Sequence, residues 1–419
     1  MLRPLSQSSL FARTSVIDTE TLSTVASIIA DVRNRGESAL RDHAVRLGDR
    51  LAGEPLVLSR IDMNAALDRI DRPTRELLER TAARITSFAQ AQLACLTCLD
   101  MQVEGGRAGH TIAPMDRAGC YAPGGRFPLP SSVLMTACTA RVAGVREVWV
   151  ASPRPTDATL AAAAIANADG VLAVGGAQAI AALAYGAGDV PASDIIVGPG
   201  NRWVTAAKKL VFGDVAIDML AGPSEVVVLA DETADSQRVA ADLLAQAEHD
   251  PDARAVLITT SQALINAVNQ ALEREISFLP ADSASAATAR AALANHSGSI
   301  LCTSLDEAIA WCDRMAPEHL EVVTRDPRAV ATRLNHYGAL FLGSESAEVL
   351  GDYGMGPNHV LPTGSTARFS AGLSVFTFLR VRTWLEADRA TIAPLARDAQ
   401  ALAMTEGLLA HARAARLRI

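Results

Sequence analysis

The sequence predicts an α/β fold with two parallel-sheet units, on three observations. From about residue 110, strand-like runs alternate with Ala-rich helical runs, the pattern that βαβ units leave in a sequence. The alternation occurs in two blocks of similar make-up, although no residue-level repeat relates them. Glycine-rich loops directly follow predicted strands, and strand ends are where open α/β sheets take their ligands.

Taken in order, residues 20–100 read as helices. Leu22, Val25, Ile28, Ile29 and Val32 make one apolar stripe, and a similar period runs over 67–93. The first alternating block predicts strands at 148–151, 171–174 and 195–197, with helices at 160–168 and 180–185. Its glycine loops are Tyr121-Ala122-Pro123-Gly124-Gly125, Gly175-Gly176-Ala177-Gln178 and Gly198-Pro199-Gly200-Asn201. The second block predicts strands at 225–229, 256–259, 300–302, 320–323 and 339–342. Helices return after about residue 385 and end in a basic, Ala-rich tail.

The chain is 419 residues long, 49% hydrophobic and 20% charged, which suits a folded protein with a sizeable core. Its net charge of -8 and 4% aromatic content leave neither a basic footprint for nucleic acid nor stacking platforms for bases. No run of about 18 apolar residues predicts a membrane span. Six cysteines without a secretory signal read as reduced thiols, so the expected location is cytoplasmic. Cys95-Leu96-Thr97-Cys98 is a lone CxxC in an apolar helical context, without the second pair of a metal motif.

The candidate chemistry is scattered. In the run 236–249, Val239, Ala240, Leu243, Leu244 and Ala247 form a buried face. Gln246 and His249 stand three apart and emerge on one side, near the end that Pro251 enforces. An amide oxygen beside an imidazole is half of a plausible metal site; a surface helix end with a capping histidine is the plainer alternative. Glu318-His319 puts a carboxylate next to an imidazole suited to proton transfer at neutral pH; an isolated pair of this kind is common in ordinary polar loops. The stretch 351–359 reads as a stiff loop carrying Asp352, Asn358 and His359, whose donors suit a borderline ion such as zinc or simply shape a turn. Glu406 and His411, five apart on the last helix, share a side only approximately and alone would be a solvated face. HExxH, GxSxG, the P-loop and the EF-hand loop are absent, as is GxGxxG.

In order, these motifs resemble histidinol dehydrogenase. They are the three glycine loops, Gly222-Pro223-Ser224-Glu225, Leu244-Ala245-Gln246-Ala247-Glu248-His249, Pro317-Glu318-His319-Leu320, Gly356-Pro357-Asn358-His359 and Glu406-Gly407-Leu408-Leu409-Ala410-His411. The match runs from about residue 115 to the end; the first hundred residues carry little that is diagnostic. The resemblance implies a zinc- and NAD-dependent enzyme that oxidises L-histidinol to L-histidine through the aldehyde. It implies Gln246, His249, Asp352 and His411 as ligands of one zinc per subunit, His319 as general base and Glu318 as the group activating water. Ser224, His359 and Glu406 would contact substrate along with the zinc ligands and His319, and Tyr121, Gln178 and Asn201 would contact NAD. It further implies a homodimer that exchanges C-terminal segments, with no nucleic-acid or membrane partner. The implied architecture is two incomplete Rossmann-like domains with small helical N- and C-terminal domains: an arm over 1–16, a first domain from 17–120 and 224–373, a second over 121–223, and a helical domain over 374–419. Relatives that oxidise other small alcohols, such as a sulfonated or amino diol, define the alternative.

Overall fold

The computed structural model describes residues 2–5, 17–124, 128–280 and 283–419. Most of the expected N-terminal arm, and Gly125 of the first glycine loop, lie outside the described residues. Two six-stranded sheets and one three-stranded antiparallel sheet organise the rest.

The early sheet runs Val57–Leu58, Gly170–Leu172, Glu147–Ala151, Arg117–Tyr121, Ile195–Val197, Ala216–Ile217; all are parallel except the first strand. The late sheet runs Arg3–Pro4, Gly298–Leu301, Arg254–Thr259, Glu225–Ala230, His319–Val323, Ala339–Leu342, all parallel. Each sheet has the same logic. Apart from the edge strands Val57–Leu58 and Arg3–Pro4, the first strand in the chain is central, the next two extend one way, and the last two return to the other side. Strand order therefore reverses once per sheet, beside Arg117–Tyr121 in the early one and Glu225–Ala230 in the late one.

Strand Glu225–Ala230 is apolar after its first residue because helices cover both faces; Val226, Val227, Val228 and Leu229 are all buried. Helix Ser236–Ala247 covers one face of the late sheet. Asp235 caps it by accepting the Gln237 N–H, and Val239, Ala240, Leu243, Leu244 and Ala247 are its buried stripe. In the early sheet, helices Pro130–Ala143 and Gly176–Tyr185 are buried nearly all round, as helices apolar on every side must be.

That burial corrects the expected boundaries. The N-terminal helices Thr19–Arg35 and Arg72–Ala94 supply the outer layer. Val25, Ile29 and Val32 pack with Ile180 and Leu183, while Ile85 and Ala89 pack with Val133 and Leu134. The helices of 17–94 thus pack with the 121–223 block rather than with 224–373, and both Val57–Leu58 and Arg117–Tyr121 are strands of the early sheet, whereas 99–114 enters the three-stranded sheet. The physical reason is the small side chains: an alanine-rich helix on a sheet leaves shallow apolar surface that a second helical layer must cover.

The C-terminal segment also departs from expectation. Before helices Ala393–Thr405 and Leu409–Arg416 it forms a nine-residue strand, Leu379–Ala387. This strand pairs antiparallel with Gly106–Pro114, whose other neighbour is Leu99–Val103. The alternation Val381, Thr383, Leu385 against Arg380, Arg382, Trp384 carries a period of two that the helical reading passed over. No helix of the described residues is long and apolar enough to cross a membrane.

Candidate active site

The site is built at the amino ends of the late sheet's central strands. Val226 is in register with His319, so Glu225 and Glu318 lie side by side one residue earlier. The Glu225 N–H donates to Glu318 Oε2 at 2.9 Å. Ala316 turns the chain into this strand in a left-handed conformation. A Cβ on Gly338 would fall 2.6 Å from the Glu318 carbonyl oxygen, so the neighbouring strand approaches closely only because that residue is glycine.

Glu318 and His319 are both buried, 6% and 4% exposed. His319 Nδ1 lies 3.2 Å from the Glu225 carbonyl oxygen. A carbonyl only accepts, so Nδ1 carries the hydrogen and Nε2 keeps its lone pair. Burial pushes the His319 pKa down to about 3, opposed by that hydrogen bond and helped by His249 and His359. The ring is neutral over the working range. Burial drives the Glu318 carboxyl well above its usual range, and the Glu225 and Asp352 charges add to the effect.

Two helices bring the remaining groups. Gln246 is fully buried; its amide nitrogen donates to both Glu348 carboxyl oxygens, at 3.0 and 2.9 Å. In that orientation the amide oxygen faces His249 Nδ1 at 3.4 Å. Asp352 does not lie in a loop, as the sequence suggested, but in the short helix Glu348–Tyr353. Glu348 is one turn earlier on the same face. His319, Glu348 and Asp352 offer ligand atoms all within 4.8 Å of one another. Sequence reasoning missed Glu348: the glycines at 351 and 354 read as loop, whereas the Glu348-x-x-x-Asp352 spacing was the available signal.

The three elements are tied together by Glu321, 2% exposed, on the strand that carries His319. Its Oε1 accepts the Glu348 N–H at 2.9 Å, a cap that Ala347 cannot provide from the N-cap position. Its carboxyl also meets that of Asp242, on the Gln246 helix, and burial raises both pKa values.

Three carboxyls, Glu318 and Glu348 buried and Asp352 half-buried, thus gather with no lysine or arginine ion pair among the described residues. Burial raises each of them, with His249 opposing at Asp352. Buried acids are ordinarily paired or bound to metal, and this donor set of imidazole, amide and carboxylate suits zinc. Of the expected ligands, Gln246, His249 and Asp352 converge here. His411 does not: helix Leu409–Arg416 packs on Ala393–Thr405, and both His411 and Glu406 are exposed.

His359 joins this cluster to the early sheet. Its Nδ1–H donates to the Asp352 carbonyl at 3.1 Å, and Nε2 lies 3.4 Å from Ser132 Oγ. Burial lowers its pKa. Asn358 Nδ2 donates to the Met135 carbonyl at 2.7 Å. Ser132 and Met135 belong to the helix that follows strand Arg117–Tyr121, so the carboxyl end of the early sheet meets the amino end of the late one. Ser224, half-buried, stands beside Glu225 and accepts the Arg254 N–H through its carbonyl.

The glycine loops lie at those early-sheet carboxyl ends. Tyr121 ends its strand and is buried, its hydroxyl accepting the Gly176 N–H at 3.2 Å. Gln178 Nε2 and the Gly175 N–H both donate to Asp49 Oδ2, at 3.3 and 3.0 Å. Asn201 caps helix Arg202–Val211 by accepting the Trp203 and Val204 N–H groups. Beside them a cleft of about 210 Å³ is lined by Gly124, Ser152, Pro153, Arg154 and Thr156, among others. A larger cavity of about 640 Å³, by Gln90 and Arg141, holds none of the expected residues. Cys95 and Cys98 are exposed free thiols.

Glycine loops at one sheet's strand ends, joined through His359 to an acid–histidine cluster on the other, define a two-sheet α/β enzyme. Comparison with known proteins narrows this. The family model for histidinol dehydrogenase matches residues 12–419. The chain is 44% identical to the histidinol dehydrogenase of Bordetella parapertussis, over 94% of this chain and 90% of that one. It is 42% identical to that of Acinetobacter baylyi, over 98% and 95%. The crystal structure of histidinol dehydrogenase from Elizabethkingia anophelis superposes with a TM-score of 0.92 at 30% identity, covering 100% of this chain and 98% of that one. The chain belongs to the histidinol dehydrogenase family and is an oxidoreductase.

Proposed function

We propose that this enzyme oxidises L-histidinol to L-histidine in two NAD-linked steps with zinc at the late-sheet cluster. The observation that carries the reading is the gathering of buried Glu318, His319 and Gln246 with half-buried Asp352 in one cluster, whose acids have no lysine or arginine partner among the described residues, in a chain of this family. The alternative alcohols are not favoured, since the relatives matched are histidinol dehydrogenases.

Gln246, His249 and Asp352 would hold the ion, with His411 as fourth ligand. Bound zinc supplies a fixed point for the substrate's nitrogen donors, and bound NAD⁺ accepts one hydride in each step. The protein does the proton work. His319 Nε2, unprotonated and aimed by the Glu225 carbonyl, takes the hydroxyl proton of histidinol as hydride leaves its carbon. Glu318 then takes a proton from the water that adds to the aldehyde carbon. His319, having released its first proton to solvent, removes the remaining hydroxyl proton of the hydrate anion as the second hydride departs, leaving the carboxylate. Ser224, His359 and Glu406 hold the substrate; Tyr121, Gln178 and Asn201 shape the cofactor site.

Two copies exchanging C-terminal segments would bring His411 and Glu406 to the site. Supporting this, both residues are exposed on a segment that also exposes Leu385, Leu402, Leu409 and Leu417, a large apolar surface for a monomer to leave open. The revised division, early-sheet block with its N-terminal helices and late-sheet block with the cluster, gives each a separate task. The test is metal analysis with a panel of alcohols. Zinc should be present at one per chain, and NADH should form from NAD⁺ and L-histidinol; NADH from another polar alcohol but not from histidinol would sink the reading.

A further inference from the structure

We propose that the buried Lys208–Asp218 ion pair is a positioning device for the cofactor loop, which it holds ready before cofactor arrives. The inference rests on the reading above that the early-sheet strand ends bind NAD. The chain has only two lysines, Lys208 and Lys209, among 38 basic residues. One of the two is buried. The Lys208 side chain is 3% exposed and that of Asp218 0%. A compact ammonium on a flexible stem fits such a spot where the planar fork of arginine does not.

What the pair grips is one residue. Lys208 Nζ donates to the Gly198 carbonyl at 3.0 Å, and the Gly198 N–H donates to Asp218 Oδ2 at 2.7 Å. Lys208 and Asp218 close the ring by their own contact, and Asp218 Oδ1 also accepts the Met219 N–H at 2.6 Å. Gly198 is the first residue after strand Ile195–Val197, at the point where the early sheet's strand order reverses. Its φ is +117°, and a Cβ there would fall 2.0 Å from the Tyr121 carbonyl oxygen. Both peptide faces of Gly198 are therefore fixed, and its position sets how closely the 198–201 loop approaches Tyr121. Asn201, three residues on, begins the same helix that carries Lys208. The grip is thus a closed loop from strand end to helix and back.

Replacing a buried ion pair by neutral groups of similar volume is often harmless to stability, whereas removing one partner is costly. That separates the two roles. In the zinc-loaded protein, K208M/D218N should keep a wild-type melting temperature and metal content. Its dissociation constant for NADH, read by fluorescence titration, and its KM for NAD⁺ should both rise roughly ten-fold, because a loop displaced by under an ångström already loses contacts; kcat should stay close to wild type. Wild-type affinity in the folded double variant would overturn the proposal. Hydrogen exchange on the wild-type protein gives a second reading that needs no variant: the Gly198 amide should be protected without cofactor, and fast exchange slowed only by NADH would equally overturn it. If wild-type protein binds no NADH at all, the cofactor reading itself fails and this inference with it; binding by wild type and double variant alike defeats the inference only.

Discussion

The two six-stranded sheets share one strand order and carry their candidate site residues at opposite ends. In the early sheet the glycine loops follow the carboxyl ends, beside the strand where the order reverses, as open α/β sheets generally do. In the late sheet the corresponding carboxyl ends are closed. Asp231 accepts the Arg325 N–H at 2.7 Å and the Thr233 N–H at 2.9 Å, tying together the loops that leave the two central strands. Its buried acid–histidine cluster sits at the amino ends instead, on Glu225, Glu318 and His319. Topology supplies two candidate ends per sheet, and side chains decide which one works. The carboxyl end of the early sheet meets the amino end of the late one through His359 and Ser132, so the proposed site would draw on both.

The strongest test of this contrast is His319→Asn. Activity should fall roughly 10²–10⁴-fold, the range for losing a general base, with bound zinc unchanged because the base is not an expected ligand; metal loss would move His319 into the ligand set with Glu348 and Asp352. Next, His411→Ala and Asp352→Ala should each be nearly inactive as homodimers. A mixture should recover activity, since one site of a heterodimer then has both residues intact. Verified heterodimers with no recovery would return His411 to its own chain's surface.

A smaller effect concerns the acids beneath the site. Burial and Asp242 push the folded-state pKa of Glu321 up to about 8. A raised carboxyl contributes fully below its unfolded value, roughly 4.3. It loses that contribution as pH rises through the folded value, because the unfolded chain releases its proton first. The metal-free protein should therefore melt at falling temperatures between about pH 4 and pH 8. Glu321→Gln, which keeps an acceptor for the Glu348 N–H, should flatten that slope; a parallel slope in thermal melts across pH would contradict the assignment. The smallest effect belongs to the closed end. Asp231→Ala should cost about 1–3 kcal/mol of stability in chemical denaturation and leave kcat/KM unaltered, whereas a loss of activity would mean that the late sheet's carboxyl end takes part after all.

Legibility followed the range of the signal. The strands 195–197 and 339–342 are read at their observed bounds, since short apolar runs between turn residues have few other fates. The helix read over 236–249 is equally plain from its stripe and ends two residues earlier, at Ala247, and the motif order around Gln246, His249, Glu318 and His319 points to the family. Arg117–Tyr121 was hidden because Arg-Ala-Gly-Cys-Tyr has little strand character; only its place between two partner strands makes it one. Glu348 was hidden by glycines that suggest a loop, although Glu321 caps the turn from another strand. The allegiance of residues 17–120 was misread because an apolar stripe says that a helix is covered, not by what.

The sequence by itself determined most of the strands and helices in the two blocks, most of the residues able to do acid–base and ligand chemistry, and the family. Those properties are local, or are carried by motif order along the chain. Tertiary structure alone decided that the early sheet claims the N-terminal helices, that the late sheet works at its amino ends, and that Glu348 joins the cluster. It also fixed His319 as a neutral ring with its lone pair on Nε2. Each depends on a partner distant in the chain, such as the Glu225 carbonyl for His319, and on desolvation that exists only once the two sheets have packed.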